Sequence, residues 1–507
     1  MQVGVSETNM KNKTFEILLI ILLVDILLVG VSFTPEIIVP FPCSNGLKIK
    51  VIDYYTLSDF SYKNNNEKAD SLINAYLAND SINYGKLHRA SLSRLCPKIK
   101  NNFLVNPENK GNYALDDFFL ALLKEKDASL VRVAHYGDSQ LEGDRITCYL
   151  RTNFQSKFGG SGVGFVPFND IADNVNLVRY SSPNWIRYTV FHNRYGCGYY
   201  GLSGNVYKFF KYVFAKSNND TLGDKEENTS ATKINTQTVF NNATVNITLY
   251  PYVRYSKASL MYGRSSTKCL VNVYNQANNE KILTDTLNPS EGFTLHQLVF
   301  SPSVRSFTLE FSGDISPDFY GLLIDGINGV QIDNYAIRGH SGDGLLLINP
   351  DYLATQLKKL NVRLVIFQYG DNVVPCVNTD KGCEELEDMY YSIFTRFKNI
   401  VPDISILVIG AGDMAAMYNG AYYSYQYIPK IRDAQKNAAL KAGCAFWDLF
   451  EVMGGANSIL TWTNKGLASH DGHFTNNGQK VIGNELFNAL MIEFNQYKFR
   501  QREKDNL

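Results

Sequence analysis

A serine stands at the end of an apolar run, in a position where its hydroxyl could act as a nucleophile. The run Val131 to Gln140, VRVAHYGDSQ, is strand-like, ends on Gly-Asp-Ser and leads into a helix-like segment. Ser139 is therefore predicted where a sheet passes to a helix N-terminus, and backbone N–H groups there can stabilise an oxyanion. Gly137 provides the backbone freedom that a sharp turn needs. Because Asp-Ser is also a common helix cap, the tripeptide alone does not distinguish a nucleophile from a cap.

Three later segments contain the other groups that acyl transfer requires. They read NYAIRGHSG at 334–342, GDN at 370–372 and SHDGHFT at 469–475. A serine hydroxyl is a poor nucleophile until an imidazole takes its proton, and a carboxylate best stabilises the resulting imidazolium. The amide of Asn372 can donate to a developing negative charge. This chemistry needs no metal, and no cofactor is predicted.

Alternating strands and helices around these segments predict an α/β fold with a doubly wound parallel sheet. Ligands of such sheets bind beyond the carboxyl ends of the strands, where the four segments are expected to gather. A region with period-2 and aromatic-rich runs predicts an inserted all-β sandwich of jelly-roll type. The predicted domains are a membrane segment 1–36, a mixed, partly helical extension 37–129, the first part of the α/β domain 130–171, the sandwich 172–328, the second part of the α/β domain 329–497 and a polar tail 498–507.

The N-terminus and the composition predict the location of the chain. The run from Phe15 to Phe33 is nearly continuously apolar and follows Lys11 and Lys13, which predicts an exported protein held by an N-terminal transmembrane helix. Asp25 lies inside this run and is unfavourable in a bilayer, so a cleaved signal peptide is the alternative. Lysine plus arginine and aspartate plus glutamate number 49 each, a balance that predicts no nucleic-acid partner.

Taken in this order, the four segments resemble the sequence blocks of the SGNH or GDSL hydrolase superfamily. The resemblance covers about 130–170 and 329–495. It implies that Ser139 is the nucleophile and His473 the general base, and that Asp471 orients the imidazole. It also implies an oxyanion hole made by the Ser139 backbone N–H, Gly339 and Asn372. The fold it implies is a three-layer, flavodoxin-like domain.

Two departures from the family pattern concern the late acid and the third block. The family spaces acid and base as Asp-x-x-His, whereas one residue separates Asp471 from His473 and His470 holds the third position before the base. A main-chain carbonyl is the alternative group to orient the imidazole. In the third block, GDN is followed by valine rather than aspartate.

The insertion makes the chain similar to bacterial peptidoglycan and polysaccharide O-acetylesterases. This implies a periplasmic or cell-surface serine esterase that removes O-acetyl groups from a glycan through an acetyl-Ser139 intermediate. An O-acetyltransferase acting on an exported polysaccharide would use the same residues, and an inactive glycan-binding protein is a further alternative.

Four other polar residues near the blocks have structural interpretations as well as functional ones. His135 is predicted to be a satisfied core residue, and Asp413 to cap a helix. For Arg338, a structural salt bridge is predicted rather than a contact with substrate. For His340, a place in the pocket and a place in solvent remain equally open.

Overall fold

The structure, a computed structural model, describes residues 99–101, 103–105, 111–214, 237–239 and 241–505, together with two short strands. These two strands, β1 (Ile37–Val39) and β2 (Leu47–Ile49), form an antiparallel pair within the first 92 residues. A second antiparallel pair, β3 (Phe103–Val105) and β4 (Gly111–Tyr113), belongs to the unit that contains the remainder of the chain.

Five parallel strands form the central sheet of this second unit. They are β5 (Leu130–Gly137), β19 (Gly329–Ala336), β20 (Val362–Gln368), β21 (Ser405–Ile409) and β24 (Ala445–Trp447). Their order across the sheet is β19-β5-β20-β21-β24, and every neighbouring pair is parallel. Numbered along the chain, this is the 2-1-3-4-5 order of flavodoxin-like domains. The predicted α/β class with a parallel sheet is confirmed.

Helices cover both faces of this sheet because its strands are apolar on both sides. One core joins the sheet to α3 (Pro350–Lys359), α4 (Asp380–Ile400) and α5 (Ile428–Lys441). The opposite core contains α1 (Asp116–Lys124), α2 (Arg145–Phe158), α7 (Ser458–Asn464) and α8 (Asn476–Asp505). The short helix α6 (Leu449–Met453) contributes to both cores. The β5 residues Val131 and Val133 belong to one core and Ala134 and Tyr136 to the other, as the period of two in a strand requires.

Antiparallel strands between α2 and β19 form two sheets over a third apolar core. The five-stranded sheet has the order β15-β14-β17-β12-β7, and the other has the order β16-β13-β18-β9-β8 with β6 also paired to β18. Outside these two sheets, β10 (Tyr212–Phe214) pairs with β11 (Gln237–Val239). The strands are β6 (Gly164–Val166), β7 (Leu177–Ser181), β8 (Trp185–Thr189), β9 (Asn205–Phe209), β12 (Ala243–Leu249), β13 (Lys257–Gly263), β14 (Cys269–Asn275), β15 (Glu280–Leu287), β16 (Thr294–Leu298), β17 (Ser306–Ser312) and β18 (Asp318–Asp325).

A buried ion cluster joins the inserted strands to the central sheet. Arg132 of β5 donates to Asp333 of β19 at 2.8 Å and to Asp325 of β18 at 2.5 Å, and all three side chains are almost fully buried. Burial alone disfavours these charges, so each one depends on its partners. The cluster attaches one end of the insertion to the β19–β5 side of the central sheet.

The predictions for the two ends of the chain concern a membrane segment and a polar tail. The predicted membrane segment, 1–36, lies outside the described residues, and no described helix is long and apolar enough to cross a bilayer. At the other end, α8 continues to Asp505, so most of the segment predicted as a polar tail, 498–507, is helical. Arg500 of this extension pairs with Asp116 at 2.6 Å and stacks on the ring of Tyr113, which explains why the helix continues.

Candidate active site

Ser139 lies two residues beyond β5 in a turn that holds its side chain half-exposed. Gly137 is required there because a Cβ at this position would lie 2.8 Å from the carbonyl oxygen of Gln368. The helix that follows this segment, α2, begins only at Arg145. Gly143 and Asp144 have φ values of 69° and 68°, and two left-handed residues delay the regular helix. Ser139 is therefore separated from the N-terminus of α2 by a short 3₁₀ turn.

The predicted base lies in contact with the predicted nucleophile. The Nε2 atom of His473 is 2.7 Å from the Oγ atom of Ser139, although 334 positions separate the two residues in the sequence. On the other side of the ring, Nδ1 lies 3.1 Å from Oδ2 of Asp471. With Nδ1 protonated toward the carboxylate, Nε2 is the acceptor for the serine proton. This is the geometry of a Ser-His-Asp triad.

A tight turn makes the one-residue spacing between Asp471 and His473 workable. Gly472 adopts a φ of 92°, and its N–H donates to the Ser469 carbonyl at 3.1 Å. The Asp471 side chain therefore lies over the turn. Its Oδ1 atom accepts hydrogen bonds from the His473 N–H and from the Ser469 hydroxyl. Burial acts to raise the pKa of Asp471, but these hydrogen bonds and the charge on His473 outweigh it and lower the pKa. The carboxylate is therefore kept ionised beside the imidazole.

His470, which holds the family's usual acid position, faces away from the imidazole. Its ring stacks on Tyr422 with centroids 3.7 Å apart and planes at 14°. Tyr422 belongs to the hairpin of β22 (Ala415–Tyr418) and β23 (Ala421–Ser424). The Ala415 N–H donates to the His470 carbonyl at 2.8 Å. His470 thus attaches the loop 469–475 to the hairpin.

The predicted oxyanion donors lie around one cleft of about 640 Å³, together with Ser139 and His473. Gly339 has a φ of 75°, and Phe191 of the insertion packs so closely that a Cβ at Gly339 would lie 3.2 Å from its ring. Within the described part of the chain, neither the Ser139 N–H nor the Gly339 N–H has an acceptor. The Asn372 amide nitrogen donates to Asp138 at 3.0 Å and to the His340 carbonyl at 3.2 Å. An incoming oxyanion would have to share or replace one of these acceptors.

The side chain of Gln140 connects three of the four blocks and is nearly fully buried. Its Nε2 atom donates to Asp371 at 2.5 Å and to the Gly472 carbonyl at 2.8 Å. Its Oε1 atom accepts from the Phe474 N–H at 3.3 Å. Gly472 and Phe474 flank His473, so Gln140 fixes the position of the base relative to the nucleophile loop.

Neither Gln140 nor Asp371 was predicted as a site residue, although both stand inside the quoted blocks GDSQ and GDN. Burial raises the pKa of Asp371, and the hydrogen bond from Gln140 and the charge on His473 oppose this shift. Burial also raises the pKa of Asp138, and the charge on Asp371 adds to the effect. Two acids beneath the cleft are thus poised to be protonated more readily than exposed ones.

The structure places the remaining polar candidates in supporting positions. Arg338 forms a two-pronged ion pair with Glu142, 2.7 Å at the closest, while about half of its side chain stays exposed in the cleft. His340 is fully buried, and its Nε2 atom accepts from the Gly344 N–H at 3.0 Å. Asp413 accepts from the Ile459 N–H at the start of α7, a capping contact. His135 is fully buried between Thr147 and Gln368.

Comparisons with known proteins support the fold. A solved structure described as a peptidoglycan O-acetylesterase superposes with a TM-score of 0.56 and 18% identity, covering 76% of this chain and 96% of that chain. This chain has the fold of that esterase. The expected α/β fold with a parallel sheet is therefore confirmed, and the chain has antiparallel sheets in addition. No family model matches the chain, and no curated protein matches it.

Two other structures match over smaller parts of the chain. An acetyl xylan esterase covers 32% of this chain and 81% of its own, with a TM-score of 0.25 and 14% identity. A family two carbohydrate esterase from Clostridium thermocellum, solved with cellohexaose, covers 50% and 92%, with a TM-score of 0.23 and 10% identity.

Proposed function

We propose that this protein is an exported serine esterase that removes O-acetyl groups from a cell-wall or surface glycan. The observation that carries the proposal is the 2.7 Å contact between Ser139 Oγ and His473 Nε2 in a cleft that also contains Gly339 and Asn372. The glycan substrate rests on the fold that the chain has in common with a peptidoglycan O-acetylesterase. Export rests on the apolar N-terminal run.

In the first half of the proposed reaction, His473 takes the Ser139 proton as Oγ attacks the acetyl carbonyl carbon. The carbonyl oxygen becomes an oxyanion, which the N–H groups of Ser139 and Gly339 and the amide of Asn372 can stabilise. The imidazolium, held by Asp471, then protonates the sugar oxygen as the C–O bond breaks. The products are acetyl-Ser139 and a free sugar hydroxyl.

Water completes the reaction by attacking the acetyl carbonyl carbon of acetyl-Ser139 while His473 takes its proton. His473 then returns this proton to Ser139 Oγ as the bond to the acetyl group breaks and acetate leaves. Water can reach this position because the His473 side chain is 39% exposed to solvent. A sugar hydroxyl entering the same position would give an O-acetyltransferase. The distinction therefore depends on which acceptor occupies the open cleft after the first product leaves.

The experiment that tests the proposal compares wild type with Ser139→Ala on 4-nitrophenyl acetate, with and without a glycan acceptor. Rapid release of acetate that is lost in the variant supports the esterase, while acetyl transfer to the sugar indicates the transferase. An inactive wild-type protein would contradict both and favour a glycan-binding role. Since Ser139 contributes little to packing, the variant should unfold at the same temperature as wild type.

A further inference from the structure

A second cavity of about 280 Å³ lies beside the catalytic cleft. Arg338 lines both spaces, so its side chain is their common wall. The other side of the second cavity comes from the insertion: the loop before β7 contributes Asn169 and Ile171, and the loop after β8 contributes His192. The size is close to the lower end of the range for small-molecule sites.

The charged groups around this cavity are paired with one another. Arg187 lies 2.6 Å from Asp170, and both side chains are 17% exposed. A second contact, from Arg187 Nε to the Asn205 side chain at 2.9 Å, fixes the guanidinium plane. Arg338 has its own carboxylate in Glu142. With each cation neutralised, the cavity favours an uncharged polar ligand over an anion.

The rim of the second cavity combines polar and apolar side chains. Asn169 is exposed and makes no side-chain hydrogen bond within the described part of the chain. The His192 ring, also exposed, is supported by Phe191 at a centroid distance of 4.0 Å. Ile171 is 74% exposed at the edge. A pyranose has the matching surface, since its hydroxyl groups are hydrogen-bond donors and acceptors and its C–H groups form an apolar face.

We infer that this cavity is a subsite for an uncharged pyranose residue next to the sugar that carries the acetyl group. The inference rests on the proposed function and adds to it a second sugar contact supplied by the insertion. Binding energy gained at a remote part of a substrate can accelerate the reaction at the acyl group. The subsite would therefore distinguish an oligosaccharide from a small acetyl ester.

The test fills the cavity with Asn169→Trp and uses Asn278→Trp, in the exposed turn between β14 and β15, as the matched control. The measured quantity is the ratio of kcat/KM on an O-acetylated chito-oligosaccharide to kcat/KM on 4-nitrophenyl acetate. We expect Asn169→Trp to lower this ratio by about tenfold or more. The control should leave it at the wild-type value. Equal ratios in both variants would overturn the subsite.

A binding measurement separates failure of the subsite from failure of the proposed function. Isothermal titration of chitotetraose into Ser139→Ala needs no turnover. Weaker binding in the Ser139→Ala, Asn169→Trp double variant supports the subsite even if wild type does not cleave 4-nitrophenyl acetate. Unchanged binding in the double variant, or no binding in either protein, contradicts it while leaving the esterase assignment to its own assay.

Discussion

The contact between Ser139 and His473 lies beside a carboxylate that is unusually close to His473 in the sequence. Asp471 contacts both the His473 ring and its backbone N–H, so it holds the loop as well as the imidazole. His470 cannot take over this role while its ring is stacked on Tyr422. The shortened Asp-x-His spacing is thus compatible with a complete triad because Gly472 permits a left-handed turn.

Variants of these three residues test that assignment. His473→Ala should lower kcat on 4-nitrophenyl acetate by about 10⁴- to 10⁶-fold, and Asp471→Asn by a factor roughly ten to one hundred times smaller, since removing the base costs more than removing its orienting acid. His470→Ala should leave kcat much closer to wild type. A silent Asp471→Asn beside a severely impaired His470→Ala would assign the orienting role elsewhere.

His135 predicts how stability depends on pH. Burial lowers its pKa to about 3, against an ordinary value of 6.5, although the Gln368 contact opposes this shift. Below pH 6.5 the unfolded chain binds a proton that the folded protein excludes, so stability is fully present above that pH and falls as the pH falls toward 3. The loss should reach about 3 kcal/mol near pH 4.

Urea unfolding of wild type and His135→Gln between pH 7 and 4 measures this dependence. The variant should have a flatter profile over that interval, whatever its stability at pH 7. Parallel profiles would show that His135 is not the group responsible.

Loops from separate strands meet at the site through Gln140, the residue that follows the nucleophile. Gln140→Leu preserves the bulk of the side chain and removes its three hydrogen bonds. Because the base would lose its fixed position, kcat should fall by about 10²-fold, in line with the effect of misplaced catalytic groups, while KM for 4-nitrophenyl acetate changes less.

Gln155→Leu in α2 is the matched control, since this glutamine also bonds other residues but lies outside the cleft. It should reduce stability without the selective loss of kcat. If the two variants lost activity equally, or if Gln140→Leu remained fully active, Gln140 would have no positioning role.

The elements show which features the sequence predicts and which it does not. The strand Val362–Gln368 stands out in the sequence because it is a short, mostly apolar run, and every residue in it except Arg363 is buried. Ser139 and His473 are recognisable because their blocks occur in order. The hydrogen bond between Gln140 and Asp371 is not recognisable in the sequence, since it depends on two side chains from separate loops that meet only in the fold. The β22–β23 hairpin could be predicted from its Asn419-Gly420 pair, because Asn-Gly favours the type I′ turn. Both residues have the positive φ values that this turn requires.

At the scale of the whole molecule, a buried ion cluster attaches the insertion to the central sheet. The cluster of Arg132, Asp325 and Asp333 provides that attachment. Asp325→Ala should lower the free energy of unfolding by about 3 kcal/mol, because removing one partner from a buried ion pair leaves the other charge undercompensated.

Asp314→Ala, which removes the partner of an exposed lysine, is the control and should change stability little. Urea denaturation measures both. A loss no greater in Asp325→Ala than in Asp314→Ala would mean that the buried cluster does not stabilise the attachment.

Labelling with a fluorophosphonate, followed by peptide mapping, tests the central claim most directly, because the reagent reacts only with an activated serine. We expect a single modification on Ser139 in the wild-type protein, strongly slowed in His473→Ala, whose serine lacks its base. Modification of another serine, or equal labelling rates in wild type and His473→Ala, would contradict the assignment of Ser139 as a nucleophile activated by His473.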